Sequence, residues 1–179
     1  MGQYYTPIIL EKENTSIPVK AWHAHHYNNG LKLMEHSYID NNFVAVVEHE
    51  LLNNPQRLVW AGDYADEEPN GKNLSTIVDD KPSLYDDNAP HFDIEILHDT
   101  YVVNHDKKQF YKRPEYQEDV CTINPLPLLT SEGNGQGGGD YFSEACEEMI
   151  GTWARDTIEL MKEHPTEDYT EIFPEFEDD

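Results

Sequence analysis

The chain has 179 residues, enough for one sizeable hydrophobic core, and its 36 acidic against 12 basic residues give a formal charge of −24. Such a field repels phosphate backbones, so no direct nucleic-acid binding is expected; the basic run Lys107, Lys108, Lys112 and Arg113 is interrupted by Asp106. Two cysteines argue against a disulfide framework, and the absence of a basic, apolar leader or an apolar run of spanning length points to a reducing cytoplasm and no membrane.

In chain order, residues 4–10 read as a first strand, apolar and aromatic, with Pro7 marking an edge strand or an edge-like start. Residues 19–27 read as a second strand. From 41 to 53, Phe43, Val46, Val47 and Leu51 recur at three and four, the period of an amphipathic helix, capped by Asp40 or Asn41 and stopped by Asn53, Asn54 and Pro55. Residues 57–61 form a short apolar strand ending at Gly62. Residues 66–91, rich in Asp, Asn, Gly and Pro, read as a surface excursion with one helical turn near 74–78. Residues 92–97 alternate apolar and acidic, as a strand does, and 100–104 with 109–113 form a hairpin around His105 to Lys108. Residues 142–150 look helical, 152–161 fit either a strand or a helix, and the acidic tail 168–179 is expected to fray. The pattern predicts one α+β domain, residues 1–179. Its mostly antiparallel, curved sheet packs on the helix near 41–53, with long irregular loops.

Several groupings carry candidate chemistry. Residues 21–38 hold four histidines; on a strand, His23 and His25 share a face, and Glu35 or His36 can return across the Asn28 to Gly30 turn to complete a zinc-type ligand set. His49 and Glu50 begin a zinc-protease motif, but Asn53 stands where its second histidine must be. Gly133, Gly135 and Gly138 match G-x-G-x-x-G, yet Pro125 and Pro127 disfavour the strand that motif needs and no P-loop lysine follows. Glu132, Asn134, Gln136 and Asp140 around that loop instead supply oxygens for a hard cation. Asp63 at a strand end, with His36 or His105 and the cation Lys107, would make an acid/base pair for hydrolysis.

The blocks MGQYY, GLKLMEHSY, WAGDYAD, YVVNHDKKQFY, INPLPLLTSEGNGQGGGDY and GTWARD span most of the chain and together resemble a family of uncharacterised bacterial and phage proteins. The resemblance implies a bacterial or phage cytoplasm and brings no activity, cofactor or catalytic residue with it. The composition carries the functional expectation. Residues 140–179 hold 14 acids against 2 bases, which suits an acidic interaction module that inhibits a basic partner protein or mimics nucleic acid on its surface. Glu144, Glu147 and Glu148 are its expected contact residues, and no cofactor is expected. The alternative is a small hydrolase or metal-dependent enzyme built on His23, His25, His36 and Asp63.

Overall fold

In the computed structural model, which describes residues 2–178, alternation along two paired strands sets the layers. β1 (Tyr5–Leu10) and β3 (Gln56–Gly62) run antiparallel, with Ile8 opposite Val59 and Ile9 opposite Leu58. Tyr5, Ile9, Leu58 and Trp60 belong to one core, while Ile8, Leu10, Val59 and Ala61 belong to a second. Successive side chains point to opposite sides of a strand, so the sheet is buried on both faces here.

Helices α1 (Leu33–His36) and α2 (Asn42–Leu51) pack residues into the larger core. In α2, Asn41 Oδ1 accepts from the backbone N–H groups of Phe43 and Val44 at 2.9 and 3.3 Å, satisfying two donors that a helix start leaves free. Phe43, Val44, Val47 and Leu51 are fully buried, and each contributes on the order of 1.5–3 kcal/mol of apolar transfer. The helix stops where Asn53 adopts a φ of 51°. The smaller core is covered by α3 (Leu74–Asp79) through Leu74 and Val78. The helix near 41–53 and the turn near 74–78 both form where the sequence predicts them. Residues 66–91 are mostly exposed and are tied to the sheet by α3 and by Asp86 N–H, which donates to Ala21 O at 2.8 Å.

The other strands are β2 (Pro18–Ala21), β4 (Tyr101–Asn104), β5 (Gln109–Lys112), β6 (Ser131–Glu132), β7 (Thr157–Met161) and β8 (Thr170–Glu171). The sheet order is β2-β1-β3-β7-β4-β5-β8, with β6 on β3. It is mostly antiparallel, with β3–β6 and β5–β8 parallel. The chain is therefore an α+β fold with one main helix, as the sequence pattern predicts. A fourth short helix, α4 (Pro125–Leu129), begins at the Asn124 cap and adds three leucines to the larger core. No helix among the described residues is long and apolar enough to cross a membrane.

Of the two readings of Pro7, the edge-like start holds: β1 is an inner strand, but Trp22 N–H donates to Pro7 O just past the end of β2, so the missing proline N–H faces the point where that ladder has stopped. Local expectations fail at four places, each for a physical reason. Residues 19–27 hold a strand only to Ala21. His25 N–H then donates to His23 Nδ1 at 3.2 Å, which starts a 3-10 turn at Ala24–Tyr27 and ends the extended run. Residues 92–97 likewise form a 3-10 turn, Ile94–Leu97, because Asp93 accepts from Glu95 N–H at 3.1 Å and Leu97 alone of the turn is buried. Residues 142–150 contain one 3-10 turn, Glu147–Met149, broken by Cys146 at a φ of 55°. The tail does not fray through residue 178: β8 pairs with β5, and Ile172 and Phe176 pack on the larger core.

An ion-pair network lies inside this frame. Arg113, with 1% of its side chain exposed, donates from Nε to Glu48 Oε2 at 2.7 Å and from Nη2 to Asp40 Oδ1 at 2.8 Å. Burial works against the guanidinium charge, but Glu48 and then Asp40 outweigh it and raise its pKa. Glu48 itself is fully buried, so the pair is tolerable only while both partners are present.

Candidate binding site

The imidazoles and carboxylates that sequence reasoning singled out are dispersed. His23 caps the 3-10 turn, and its ring lies 5.0 and 5.4 Å from those of His25 and His26. Burial, and then these two neighbours, lower the His23 pKa. His36 is elsewhere, wholly buried, with Nδ1 facing Gly30 O and Nε2 accepting from Trp60 Nε1–H, each at 2.9 Å. Glu35 turns back to accept from Lys32 N–H at 3.0 Å. Asp63 clamps the start of β1, accepting from Tyr4 N–H at 2.9 Å. His105 sits between Glu159 and Tyr169, 2.8 Å from each, and Lys107 pairs with Asp156. His49 stacks on Phe92 and Glu50 pairs with Lys20. Each of these groups has a local structural partner, and none of them lines the three depressions described below.

The Gly-rich loop is likewise divided. Glu132 pairs with Arg155, Asn134 Oδ1 accepts from Gln136 N–H at 3.0 Å, and Asp140 turns inward to Tyr5 and Gln3. Among the described residues no group of three or more His, Cys, Asp or Glu side chains is placed to hold a metal ion. The set expected from the histidine cluster and the set expected from the loop both stay apart.

A different feature brings distant segments together. A depression of about 700 Å³ lies between β5, residues 120–125 and residues 171–178. Val120, Ile123, Pro125, Ile172 and Phe176 give it an apolar lining, and Phe173 remains 65% exposed at its side. Its rim carries Glu171, Glu175, Glu177 and Asp178 against a single base, Lys112. The acidic wall is fixed by the backbone. Ile172 N–H donates to Phe110 O at 2.8 Å, Glu177 N–H donates to Tyr141 Oη at 3.1 Å, and Tyr38 Oη–H donates to Asp178 at 3.1 Å. Burial, and then Asp178, push the Tyr38 phenol up to about 12, so it remains a donor at neutral pH.

This groove continues. A second depression of about 230 Å³ shares Glu177 and Asp178 with it and adds Met34, Asp140, Tyr141 and Phe142. A third, about 340 Å³, shares Asp140 and Tyr141 with the second and is closed by Tyr5, Leu33, Glu132 and Gly133. Three depressions thus follow one another along one side of the molecule. Six carboxylates line them, and among the described residues Lys112 is the one base that does. Glu144, Glu147 and Glu148 are exposed but line none of the three. The sequence signal for the groove was available in EIFPEFE, where apolar residues interrupt an acidic run. No family model matches the chain, and no curated protein or solved structure is similar to it.

Proposed function

We propose that this chain is an acidic interaction module that binds a basic segment of a partner protein along the groove. Apolar side chains of the partner seat beneath residues 171–178, and its lysines and arginines meet the rim. The observation that carries this reading is a continuous path with an apolar lining, six carboxylates and one base. Opposite charge brings partners together quickly and in register, while apolar anchors slow their separation. Covering a basic surface in this way makes the chain an inhibitor of a nucleic-acid-handling partner, in keeping with the bacterial or phage setting that the sequence blocks suggest. The apolar lining favours capture of a peptide segment over imitation of a duplex, whose outer face is phosphate. A hydrolase built on His23, His25, His36 and Asp63 has less support, because His36 is buried between Gly30 and Trp60, Asp63 accepts from the Tyr4 backbone, and none of the four lines the groove.

The test is calorimetric titration with a short peptide of lysine, leucine and serine, at low and at physiological salt. Binding is expected to weaken roughly tenfold as salt rises, since exposed charges are screened within a Debye length. The triple variant Glu171→Gln, Glu175→Gln, Glu177→Gln is expected to lose most of the affinity while keeping its fold, because exposed carboxylates add little to stability. Glu144→Gln with Glu147→Gln and Glu148→Gln serves as the charge-matched control and is expected to bind normally. Equal losses in both triple variants would assign the effect to overall charge and refute the groove.

A further inference from the structure

Asp140 is only 8% exposed, and the two side chains that bond to it are neutral. Tyr5 Oη–H donates to Oδ1, and the Gln3 amide donates to Oδ1 and Oδ2 at 3.2 and 3.3 Å. Burial, and then the bond to Asp140, raise the Tyr5 pKa, so the phenol keeps its proton and stays a donor. These bonds satisfy lone pairs, but among the described residues no cation pairs with the carboxylate, which lies beside a cavity of about 340 Å³. The methylene stem of Lys32 lies against Gly2 and Gly139.

We infer that this cavity is a socket for one lysine side chain of the bound basic segment, its ammonium on Asp140 and its methylene stem along Leu33, Tyr141 and Ile150. The inference rests on the interaction reading above and names a residue that the partner must bring. Three features select this ligand. The cavity wall combines one buried acid with apolar side chains, which suits a long aliphatic stem ending in a charge. The Gln3 amide already spans both Asp140 oxygens, which blocks the paired approach of a guanidinium fork and leaves room for the point charge of an ammonium. Glu132, the other acid on the wall, is engaged by Arg155, so a divalent cation would find one unpaired carboxylate and not a cage.

The socket is also built to hold its shape. A Cβ on Gly133 would fall 2.9 Å from Tyr5 Oη and 2.6 Å from Gln3 Oε1, so glycine there lets the loop close on the polar cluster. Gln3 Oε1 is itself buried without a partner, which places a second negative dipole behind the Gly133 wall. Sequence segments far apart, GQYY, LKLME and SEGNGQGGGDY, meet at this one cavity and its neighbour.

The experiment uses the full chain and two small probes, Nα-acetyl-lysine-N-methylamide and the same molecule acetylated on its side-chain nitrogen. Backbone amide NMR signals of Leu33, Gly133, Gly135 and Gly151 report occupancy. The lysine probe is expected to move them saturably and the acetylated probe to leave them in place, a comparison made on the unaltered protein. Asp140→Asn is expected to weaken the lysine probe by about thirtyfold or more, the lower bound for removing one partner of a desolvated charge pair. Equal shifts from both probes, or the same shifts produced by calcium, would overturn the socket. If the basic peptide binds the rim while the lysine probe moves nothing, the socket falls and the interaction reading stands. If the probe binds and the peptide does not, the cavity takes a free amine and the assignment to a partner lysine falls.

Discussion

A single proton tests the packing around His36. Trp60 Nε1–H donates to Nε2 of this fully buried ring, which fixes the neutral tautomer with its proton on Nδ1, facing Gly30 O. A second proton at Nε2 would point at the Trp60 N–H and leave a charge where water is excluded. Burial, offset only in part by the Gly30 carbonyl and by Glu35, lowers the pKa from 6.5 to about 4. The unfolded chain therefore takes up a proton between these values that the folded chain refuses. Stability from this site is complete above pH 6.5, falls as pH drops, and levels off below pH 4. At about 1.4 kcal/mol per pH unit the whole span amounts to about 3 kcal/mol, of which about 2 kcal/mol is lost by a pH of about 4.5. The assay compares urea midpoints of the native chain and His36→Gln at about pH 7 and about pH 4.5. Glutamine still accepts from Trp60 and donates to Gly30 but does not titrate, and every exposed carboxylate titrates alike in both proteins. The native chain should lose about 2 kcal/mol more than the variant across that step. Parallel losses would refute the assignment of a buried, neutral imidazole.

Two further outcomes follow from the frame around the groove. Arg113→Met leaves Glu48 buried without its cation and should reduce stability by about 3–5 kcal/mol, whereas adding Glu48→Leu should restore most of it; chemical denaturation of the single and double variants decides, and no recovery in the double variant would contradict the account. Gly137→Ala would set a Cβ 2.4 Å from the Gln3 backbone nitrogen, costing about 1–3 kcal/mol and weakening the lysine probe as the loop lifts away. Gly135→Ala, at a φ of 69° with nothing within 4 Å, should cost about 1 kcal/mol of backbone strain and leave the probe alone. Similar behaviour of the two alanine variants would remove the claim that loop closure shapes the socket.

The elements legible in the sequence are those whose cause is local. The period of Phe43, Val47 and Leu51 with an Asn41 cap needs no tertiary information, and neither does the hairpin of β4 and β5 around a polar turn. The misread segments turn on one side chain each. At residues 19–27 the His23 ring competes for a backbone N–H and curls the chain after Ala21, an effect that alternation of residue types does not reveal. At residues 92–97 six alternating letters resemble a strand, yet Asp93 caps a 3-10 turn instead. Charge alone predicts a frayed tail, whereas Ile172 and Phe176 pack it on the larger core.

Residue type alone was a poor guide to the site for a related reason. His36, Asp63 and His105 have groups suited to catalysis, and each is occupied by a neighbour: Trp60, the Tyr4 backbone, and Glu159 with Tyr169. Asp140, expected as one cation ligand of four, is the buried carboxylate among the candidates, and its bonded neighbours leave its charge unmatched. The groove itself depends on two residue pairings, Gln109 with Thr170 and Phe110 with Glu171, which lay the tail beside residues 120–125. No periodicity encodes a contact across sixty residues. Composition does encode its consequence: with 2 bases among the last 40 residues, the chain has few cations of its own to set against that wall. Charge neutralisation at the groove therefore comes chiefly from outside, as mobile counterions in the free protein and as fixed lysines or arginines in the proposed complex. Exchanging the first for the second releases the counterions, so salt sensitivity follows from the placement of the acids and not from their number alone.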